Sequence, residues 1–279
     1  MSFFNIGNKI LDFSKKTYVM GILNTTPDSF YAGSRVSGIK EAVHRIGEMI
    51  KSGADIIDIG GESTRPGSES IDSEEEAQRV IPVIKAIRQE WHDIIISIDT
   101  SKANVAGLAL DSGADMVNDI SAMQFDPGMA SLIAERKCPY VLMHIRGNPR
   151  TMQKDPRKFN DINELRRELQ ERIDFALNAG VKPEQIIIDP GIGFGKCFED
   201  NILIIKNLMN LKQLSYPILI GLSRKSFLGN ILNKQVNERL IGTIVANTIS
   251  ILNGANIIRV HDVGEAVDVV KITDVFRNF

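Results

Sequence analysis

The sequence predicts an α/β fold, a single barrel of eight parallel strands that are each followed by a helix. Three observations predict it. Short apolar runs rich in β-branched residues alternate with longer amphipathic stretches along all 279 residues. Several of the short runs are apolar at almost every position, as in strands buried on both faces of a parallel sheet. Eight such units fill the chain, and about 250 residues is the usual size of a closed (β/α)8 barrel. We therefore favour the barrel over an open, doubly wound sheet.

The predicted strands are short, and polar residues lie at or just after their ends. In chain order they cover residues 18–23, 55–60, 94–99, 116–120, 140–144, 186–189, 218–222 and 257–260. Strict alternation of strands and helices implies parallel pairing through right-handed crossovers. The carboxyl ends of all eight strands should therefore meet at one end of the barrel.

The predicted helices fill the intervals between the strands. They cover residues 39–51, 74–91, 102–110, 127–136, 162–177, 199–211, 237–252 and 264–277. Gly53, Gly113 and Gly254 follow three of these helices, because glycine readily adopts the left-handed conformation that ends a helix. Residues 1–16 are predicted to be a lead-in that covers the bottom of the barrel, and residues 17–277 the barrel domain.

Charge and composition exclude several classes of function. The chain has 33 basic and 35 acidic residues and a net charge of −2, which gives no overall attraction for nucleic acid or a membrane surface. Cys138 and Cys197 form no Cys-x-x-Cys pair, so neither a disulfide framework nor a zinc site is expected. No apolar run is long enough to span a bilayer, and the first residues lack the features of a signal peptide. We expect a cytoplasmic protein.

Polar residues lie at or just after the end of every predicted strand, at the end of the barrel where active sites lie in this fold. These residues are Asn24, Glu62 to Arg65, Asp99, Thr100, Asn118, Asp119, His144, Asp189, Ser223 to Lys225, Arg259 and His261. Helix capping alone could explain Asp99 and Thr100, but it does not explain Lys225, Arg259 and His261. The set suits a ligand with a donor-rich heterocycle at one end and an anion at the other. It indicates an enzyme or a small-molecule binding site.

Long connections surround this end of the barrel. Residues 25–38, 62–72 and 146–161 form loops that are either functional lids or polar surface loops. A glycine-rich segment at 191–196 has neither the spacing of a dinucleotide-binding fingerprint nor that of a P-loop. It therefore gives no indication of a nucleotide site.

Two segments, GILNTTPDSF at residues 21–30 and DIGGESTRPG at residues 58–67, resemble the signature segments of the dihydropteroate synthase family. The similarity continues in order through residues 97–100, 117–121, 143–153, 188–196, 221–226 and 259–261. The resemblance covers nearly the whole chain and implies a TIM barrel. It also implies a transferase of folate biosynthesis. Such an enzyme condenses 4-aminobenzoate with (7,8-dihydropterin-6-yl)methyl diphosphate to give 7,8-dihydropteroate and pyrophosphate.

The resemblance implies roles for the residues at matching positions. The catalytic residues would be Asp99, Asp189 and Lys225. The pterin would be bound by Asp99, Asn118, Met143, Asp189, Phe194, Gly221 and Lys225. The pyrophosphate would be bound by Asn24, Thr64, Arg259 and His261, with Mg²⁺ held at Asn24. The 4-aminobenzoate would be bound by Phe30, Thr64, Arg65, Pro66 and Ser223. The chemistry agrees, because carboxylates accept hydrogen bonds from an aminopyrimidine and a lysine donates to ring oxygen or nitrogen.

One departure and two alternatives qualify this interpretation. The family commonly continues the first loop as Ser-Asp-Gly-Gly, whereas this chain has Ala32 where the aspartate would stand. A pterin-binding barrel of the methyltransferase kind, or a non-catalytic pterin-binding homologue, would share the fold and several contacts. The resemblance further implies a homodimer and a sulfonamide target, and the helices at 237–252 and 264–277 are our prediction for the dimer interface.

Overall fold

The computed structural model describes residues 3–7, 9–25, 35–65 and 67–278. Within these ranges the chain forms ten strands and ten α-helices. Strands β1 (Phe3–Ile6) and β2 (Lys9–Asp12) pair as an antiparallel hairpin, and the other eight strands form one parallel sheet. Phe30, Ala32 and Pro66, which the sequence analysis singled out, lie outside the described residues.

The eight remaining strands form the predicted barrel. They are β3 (Tyr18–Asn24), β4 (Ile56–Gly60), β5 (Ile95–Asp99), β6 (Met116–Asp119), β7 (Tyr140–Met143), β8 (Ile186–Asp189), β9 (Leu219–Ile220) and β10 (Ile257–Val260). Their order is β8-β7-β6-β5-β4-β3-β10-β9. A parallel bridge between Ile188 and Ile218 joins the two outermost strands, and the Ile188 N–H donates to the Pro217 carbonyl at 2.9 Å. These contacts close the barrel.

Helices follow the barrel strands and pack against their outward faces. They are α1 (Arg35–Lys51), α2 (Ser73–Glu90), α3 (Ala103–Asp111), α4 (Gly128–Arg136), α5 (Ile162–Asn178), α6 (Phe198–Lys206), α7 (Leu208–Leu211), α8 (Ser226–Leu232), α9 (Leu240–Leu252) and α10 (Val263–Asn278). Asp72 and Asp161 cap α2 and α5 by accepting from backbone N–H groups of the first turn, as N-cap residues do. None of the described helices has the length and apolar composition needed to cross a membrane.

Two of the predicted helices differ in detail from the structure. The segment predicted as one helix at 199–211 is divided into α6 and α7 at Asn207. The Asn207 side chain donates to the Leu203 carbonyl at 2.7 Å, and such an amide competes with the backbone for helix hydrogen bonds. The segment predicted at 237–252 begins later, at Leu240, after the short helix α8 and a 3-10 turn at Val236–Glu238.

The lower half of the barrel interior is an apolar floor that the N-terminal hairpin closes. Side chains of the hairpin segment pack with inward-facing side chains of all eight barrel strands. This cluster consists of Phe4, Ile6, Leu11, Phe13, Tyr18, Met20, Ile56, Ile95, Met116, Val141, Ile187, Leu219 and Ile257. Because neighbouring residues of a strand point to opposite faces, the alternate residues pack outward against the helices. The closed floor leaves the carboxyl ends of the strands as the side from which a ligand enters.

Candidate active site

A layer of mostly polar residues lies in the barrel interior directly above the apolar floor. Its members follow the floor residues by two positions on each strand, so the alternation of the strand directs them to the same inner face. They are Ile22, Asp58, Ser97, Asn118, Met143, Asp189, Gly221 and Arg259. Asn24, Gly60 and Asp99 come two positions later on their strands. We call these eleven residues together the polar layer.

Arg259 lies between two carboxylates in the polar layer. Its Nε donates to Asp58 Oδ2 at 2.5 Å and its Nη2 donates to Asp99 Oδ2 at 2.6 Å. Asn118 Nδ2 donates to the same Asp58 oxygen at 2.9 Å. Asp58 is fully buried, and a buried carboxylate requires such partners. The sequence analysis gave no role to Asp58, although it joins Asn118 to Arg259.

Burial and shared charge set the protonation of this group. Burial raises the pKa of Asp99 to about 7; Arg259 opposes the rise and the neighbouring Asp58 adds to it. Burial opposes the charge of Arg259, but Asp58 and Asp99 outweigh it and raise the pKa of Arg259 above its ordinary value. Arg259 is therefore always cationic, whereas Asp99 titrates near neutral pH.

Asp189 of the polar layer forms a second group with Phe194 and Lys225, which lie on the loops after β8 and β9. Asp189 accepts a hydrogen bond from the Gly191 N–H at 2.7 Å, and burial raises the pKa of Asp189 to about 6. Burial lowers the pKa of Lys225 to about 8, against the attraction of Asp189. The Lys225 ammonium lies 4.3 Å from the centre of the Phe194 ring, within cation–π distance. An acid, a base and an aromatic face therefore meet here.

Two further predicted residues shape the apolar side of the site. Met143 packs with Ile120, Ile145, Met152 and the half-buried Phe194. A Cβ atom on Gly221 would lie 3.9 Å from the Cβ of Arg259, so any larger residue there would fill space beside the guanidinium. An apolar wall with a few convergent polar groups is typical of a small-molecule site.

The predicted pyrophosphate residues lie toward the mouth of the barrel. A Cβ atom on Gly60 would lie 3.6 Å from Asp99 Oδ2 and 3.8 Å from Asn24 Oδ1, so Gly60 leaves Asn24 and Asp99 close together. The Ser223 hydroxyl accepts from the His261 backbone N–H at 3.1 Å and lies 2.9 Å from its Nδ1. Burial and then Arg259 lower the pKa of His261 to about 4, so this imidazole is neutral at pH 7.

Two predicted aminobenzoate residues, Thr64 and Arg65, lie on the loop after β4. Thr64 is half-buried and Arg65 is exposed. The Arg65 charge contributes to the low pKa of His261, which shows that the loop approaches the mouth. The two residues are thus farther from the floor than the polar layer is.

Helix capping explains neither Asp99 nor Thr100, because the N-cap of α3 is Lys102, whose side chain makes no capping hydrogen bond. The Thr100 hydroxyl accepts from the Lys102 N–H at 3.2 Å, while the Asp99 carboxylate points into the barrel toward Arg259. The first N–H of α3, that of Ala103, donates to Asp126 Oδ2 at 2.7 Å. Asp99 is therefore available to the site.

A buried polar chain behind the site was missed by the sequence analysis. Lys196 Nζ lies 2.9 Å from His144 Nδ1, and His144 Nε2 lies 2.6 Å from Glu168 Oε2. Arg146 binds the same Glu168 carboxylate through both Oε atoms. Hydrogen bonds from His144 and Arg146 outweigh burial and lower the pKa of Glu168 to about 2. The signals for it in the sequence were His144 at a predicted strand end and a lysine within a glycine-rich segment.

The described part of the site offers few side chains that could bind a metal ion. Among the described residues, no group of three or more His, Cys, Asp or Glu side chains is arranged to hold a metal ion. Asn24 offers an amide oxygen next to Asp99. Such a site fits Mg²⁺ only if water and a ligand supply most of its coordination sphere.

Comparison with known proteins identifies the family of the chain. The sequence pattern of the family described as pterin binding enzyme matches residues 20–261. The dihydropteroate synthase of Synechocystis sp. is 50% identical over 270 residues, which are 96% of this chain and 93% of that protein. A dihydropteroate synthase structure from Clostridium difficile, determined with pteroic acid, has a TM-score of 0.90 at 45% identity and covers 96% of this chain and 100% of that one. The Yersinia pestis enzyme in a sulfonamide drug complex has a TM-score of 0.93 at 38% identity, with 99% and 100% covered.

The chain therefore belongs to the pterin binding enzymes. A relative that is 50% identical over nearly the whole chain is a dihydropteroate synthase. Within this class the chain therefore belongs with the dihydropteroate synthases, which are transferases of folate biosynthesis. The family, the barrel fold and the enzyme class predicted from the sequence are confirmed.

Proposed function

We propose that the polar layer binds the pterin ring during dihydropteroate synthesis. The observation that carries this proposal is the joined set of Asp58, Asp99, Asn118 and Arg259, facing Asp189 and Lys225 above a closed apolar floor. Carboxylates accept from the amino and N–H groups of a pterin, and Lys225 donates to its oxygen or ring nitrogen. Met143 and Phe194 supply apolar surface for the ring, and Gly221 leaves room for it.

The pyrophosphate binds toward the mouth, at Asn24, Thr64, Arg259 and His261. Asp58 and Asp99 use two of the five N–H donors of Arg259, and the others remain for phosphate oxygens. His261 offers a ring N–H donor to the pyrophosphate, and the charge of a bound pyrophosphate raises the pKa of His261 above the value of about 4 that burial and Arg259 set without it. Arg259 is cationic with or without the ligand.

Mg²⁺ would be held by the Asn24 amide oxygen together with pyrophosphate oxygens and water. Magnesium prefers hard oxygen ligands and commonly keeps several waters, which agrees with the single amide that the described residues offer. When bound, the ion would neutralise charge on the leaving group. Asn24 and Arg259 would both contact the pyrophosphate, Asn24 through the ion and Arg259 directly.

The reaction breaks the bond between the pterin methylene carbon and the pyrophosphate oxygen, and the electron pair leaves with pyrophosphate. The amino nitrogen of 4-aminobenzoate then forms the new bond to that carbon and releases a proton. Asp99 and Asp189, when ionised, stabilise the positive charge that develops on the pterin. Their raised pKa values place this ionisation between about pH 6 and 7. An aromatic amine is nucleophilic without a strong base.

The 4-aminobenzoate binds at the mouth, where Ser223, Thr64 and Arg65 lie. Phe30 and Pro66, which the resemblance also assigns to this ligand, lie outside the described residues. Arg65 is the cation available to its carboxylate. A sulfonamide has the same aromatic amine and a polar group at the opposite end of the ring. We therefore expect sulfonamides to compete with 4-aminobenzoate.

A homodimer is supported by apolar residues on neighbouring helices. Ile241, Val245 and Ile249 form an exposed stripe on α9, and Ile272 and Phe276 are exposed on the adjoining α10. Contiguous exposed apolar surface of this kind marks an interface. The position agrees with the interface predicted from the sequence. Cytoplasmic location stays a prediction from the sequence.

Pyrophosphate release tests the proposed reaction. The purified protein is incubated with the dihydropterin diphosphate and Mg²⁺, with and without 4-aminobenzoate. We expect release that depends on 4-aminobenzoate and matches dihydropteroate formed. Equal release without the amine would indicate hydrolysis, and pterin binding without release would support the non-catalytic or methyltransferase-type alternative.

A further inference from the structure

Lys196 is a buried lysine whose hydrogen bonds all go to two segments beside the pterin site. Its side chain is 2% exposed. The ammonium nitrogen lies 2.9 Å from His144 Nδ1, 3.1 Å from the His144 carbonyl oxygen and 3.0 Å from the Phe194 carbonyl oxygen. Three acceptors match the three donors of an ammonium group.

The hydrogen-bond network fixes which atoms carry protons. Arg146 pairs with Glu168 and keeps it a carboxylate, so His144 Nε2 must donate to it. Burial lowers the pKa of His144 to about 4, so the imidazole is neutral and its Nδ1 is an acceptor. Lys196 must then donate to Nδ1 as well as to the two carbonyls, and three donors require the ammonium form. These acceptors oppose the effect of burial, which lowers the pKa of Lys196 to about 7. Around Lys196, the facing charged groups are Asp189, Arg146, Glu168 and Lys225.

The segment that Lys196 holds binds Asp189 of the pterin site and contributes Phe194 to that site. We call residues 190–195 the glycine turn. The Gly191 N–H binds Asp189, and Phe194 lies against Lys225. A Cβ atom on Gly191 would lie 2.0 Å from the His144 carbonyl oxygen, so the turn lies directly on the end of β7. Lys196 binds the same carbonyl and thus joins the turn to that strand end.

We propose that Lys196 is a positioning residue that clamps the glycine turn to the end of β7 and so holds Asp189 and Phe194 in place for the pterin ring. The inference rests on the proposed pterin site. Lys196 itself does not touch the substrate. Its removal should therefore affect the pterin half of the reaction more than the aminobenzoate half.

The test compares Lys196→Met with Lys16→Met. Lys16 also forms a close ion pair, with Asp55 at 2.6 Å, but it precedes β3 at the floor end of the barrel. In Lys196→Met we expect KM for the dihydropterin diphosphate to rise at least tenfold and KM for 4-aminobenzoate to change less than threefold. We expect Lys16→Met to leave both KM values unchanged. If Lys196 only stabilises the fold, Lys196→Met would reduce the folded fraction without changing either KM.

Amide hydrogen exchange gives a readout that does not depend on the reaction. We expect unliganded Lys196→Met to exchange faster than the wild type at the amides of residues 191–195, and Lys16→Met to match the wild type there. If Lys196→Met does not fold, Lys196→Gln keeps two donors and replaces it in both measurements. Unchanged exchange in the glycine turn, or unchanged pterin KM, would overturn the proposal. Absence of pterin binding in the wild type would instead contradict the proposed function. The hydrogen-exchange result would then still show whether Lys196 holds the glycine turn in place.

Discussion

At the residue scale, the site depends on charges that are buried and shared. Arg259 binds two carboxylates, and its position on the inner face of β10 lets it reach both β4 and β5. One cation cannot fully stabilise two buried anions, so the pKa of Asp99 is raised toward neutral pH. A cationic pterin intermediate would supply the missing positive charge. The site therefore favours a ligand that becomes positively charged.

Replacing Lys225 with Met should weaken pterin binding without unfolding the barrel. A charged hydrogen bond in a buried site contributes roughly 1.5–3 kcal/mol, so we expect KM for the dihydropterin diphosphate to rise about ten- to hundredfold. The melting temperature should change little, because burial already disfavours the Lys225 charge. Steady-state kinetics and thermal melts measure both. The control is Lys234→Met, at an exposed lysine, and a wild-type KM in Lys225→Met would refute the assignment.

The buried Asp189 should make the stability of the protein depend on pH. Its folded-state pKa, about 6, lies above the ordinary value of 3.8. Below pH 3.8 the carboxyl is protonated in both states, and between pH 3.8 and 6 the unfolded chain loses the proton first, so stability falls. Above pH 6 the free energy of unfolding has fallen by its full amount, about 3 kcal/mol for this rise in the pKa of Asp189.

Asp189→Asn removes this ionisation and can keep the bond from Gly191. We expect the variant to gain stability over the wild type as pH rises from 4 to 7, with no further gain at pH 8. Urea unfolding at each pH measures the difference. Parallel stability curves for the two proteins would show that Asp189 is not held protonated by burial.

At the element scale, the glycine turn after β8 is the part of the site most constrained by packing. Gly195 has φ +65° and a Cβ atom there would lie 2.1 Å from the Arg146 carbonyl oxygen. Lys196 and Asn201 hold the turn by hydrogen bonds to the Phe194 carbonyl and the Gly193 N–H. Lys196 also donates to the His144 carbonyl just after β7, so the turn cannot move away from the end of that strand without breaking this bond.

Gly195→Ala should destabilise the protein and abolish pterin binding. The matched control is Gly180→Ala, because Gly180 also has a positive φ, +96°, but its Cβ atom would meet only Ala134 Cβ at 3.6 Å. We expect Gly180→Ala to lower the free energy of unfolding only by the cost of an alanine at positive φ, about 1–2 kcal/mol. This variant should bind pterin normally. Equal losses of stability in urea unfolding, with normal pterin binding in both, would mean that the close contact at Gly195 relaxes freely.

At the scale of the whole molecule, the barrel has two ends with different tasks. The floor end is closed by the hairpin and contributes only packing. The other end carries the polar layer and the long loops. The exposed apolar stripe of α9 lies outside the barrel, beside α10, so an interface there leaves the mouth of the site open to substrate.

The double substitution Ile241→Asp and Val245→Asp should convert the proposed dimer to monomers. Both residues are more than half exposed in one chain, and a charge on each would oppose burial in an interface. Sedimentation velocity measures the change. Leu108→Asp, at an exposed apolar residue of α3, is the control that should remain dimeric. A wild-type protein that sediments as a monomer would contradict the dimer proposal.

The sequence by itself determined the barrel, the family and the end of the barrel that carries the polar residues. Short apolar runs alternating with amphipathic stretches predicted the strands, and polar residues at or just after the strand ends predicted where the site lies. Only the tertiary structure decided which charges pair. Arg259 and Asp58 are 201 residues apart, and Lys196 and His144 are 52 apart. The sequence alone predicts no such pairing, because closure of the barrel and the stagger of its strands determine which inward-facing side chains meet.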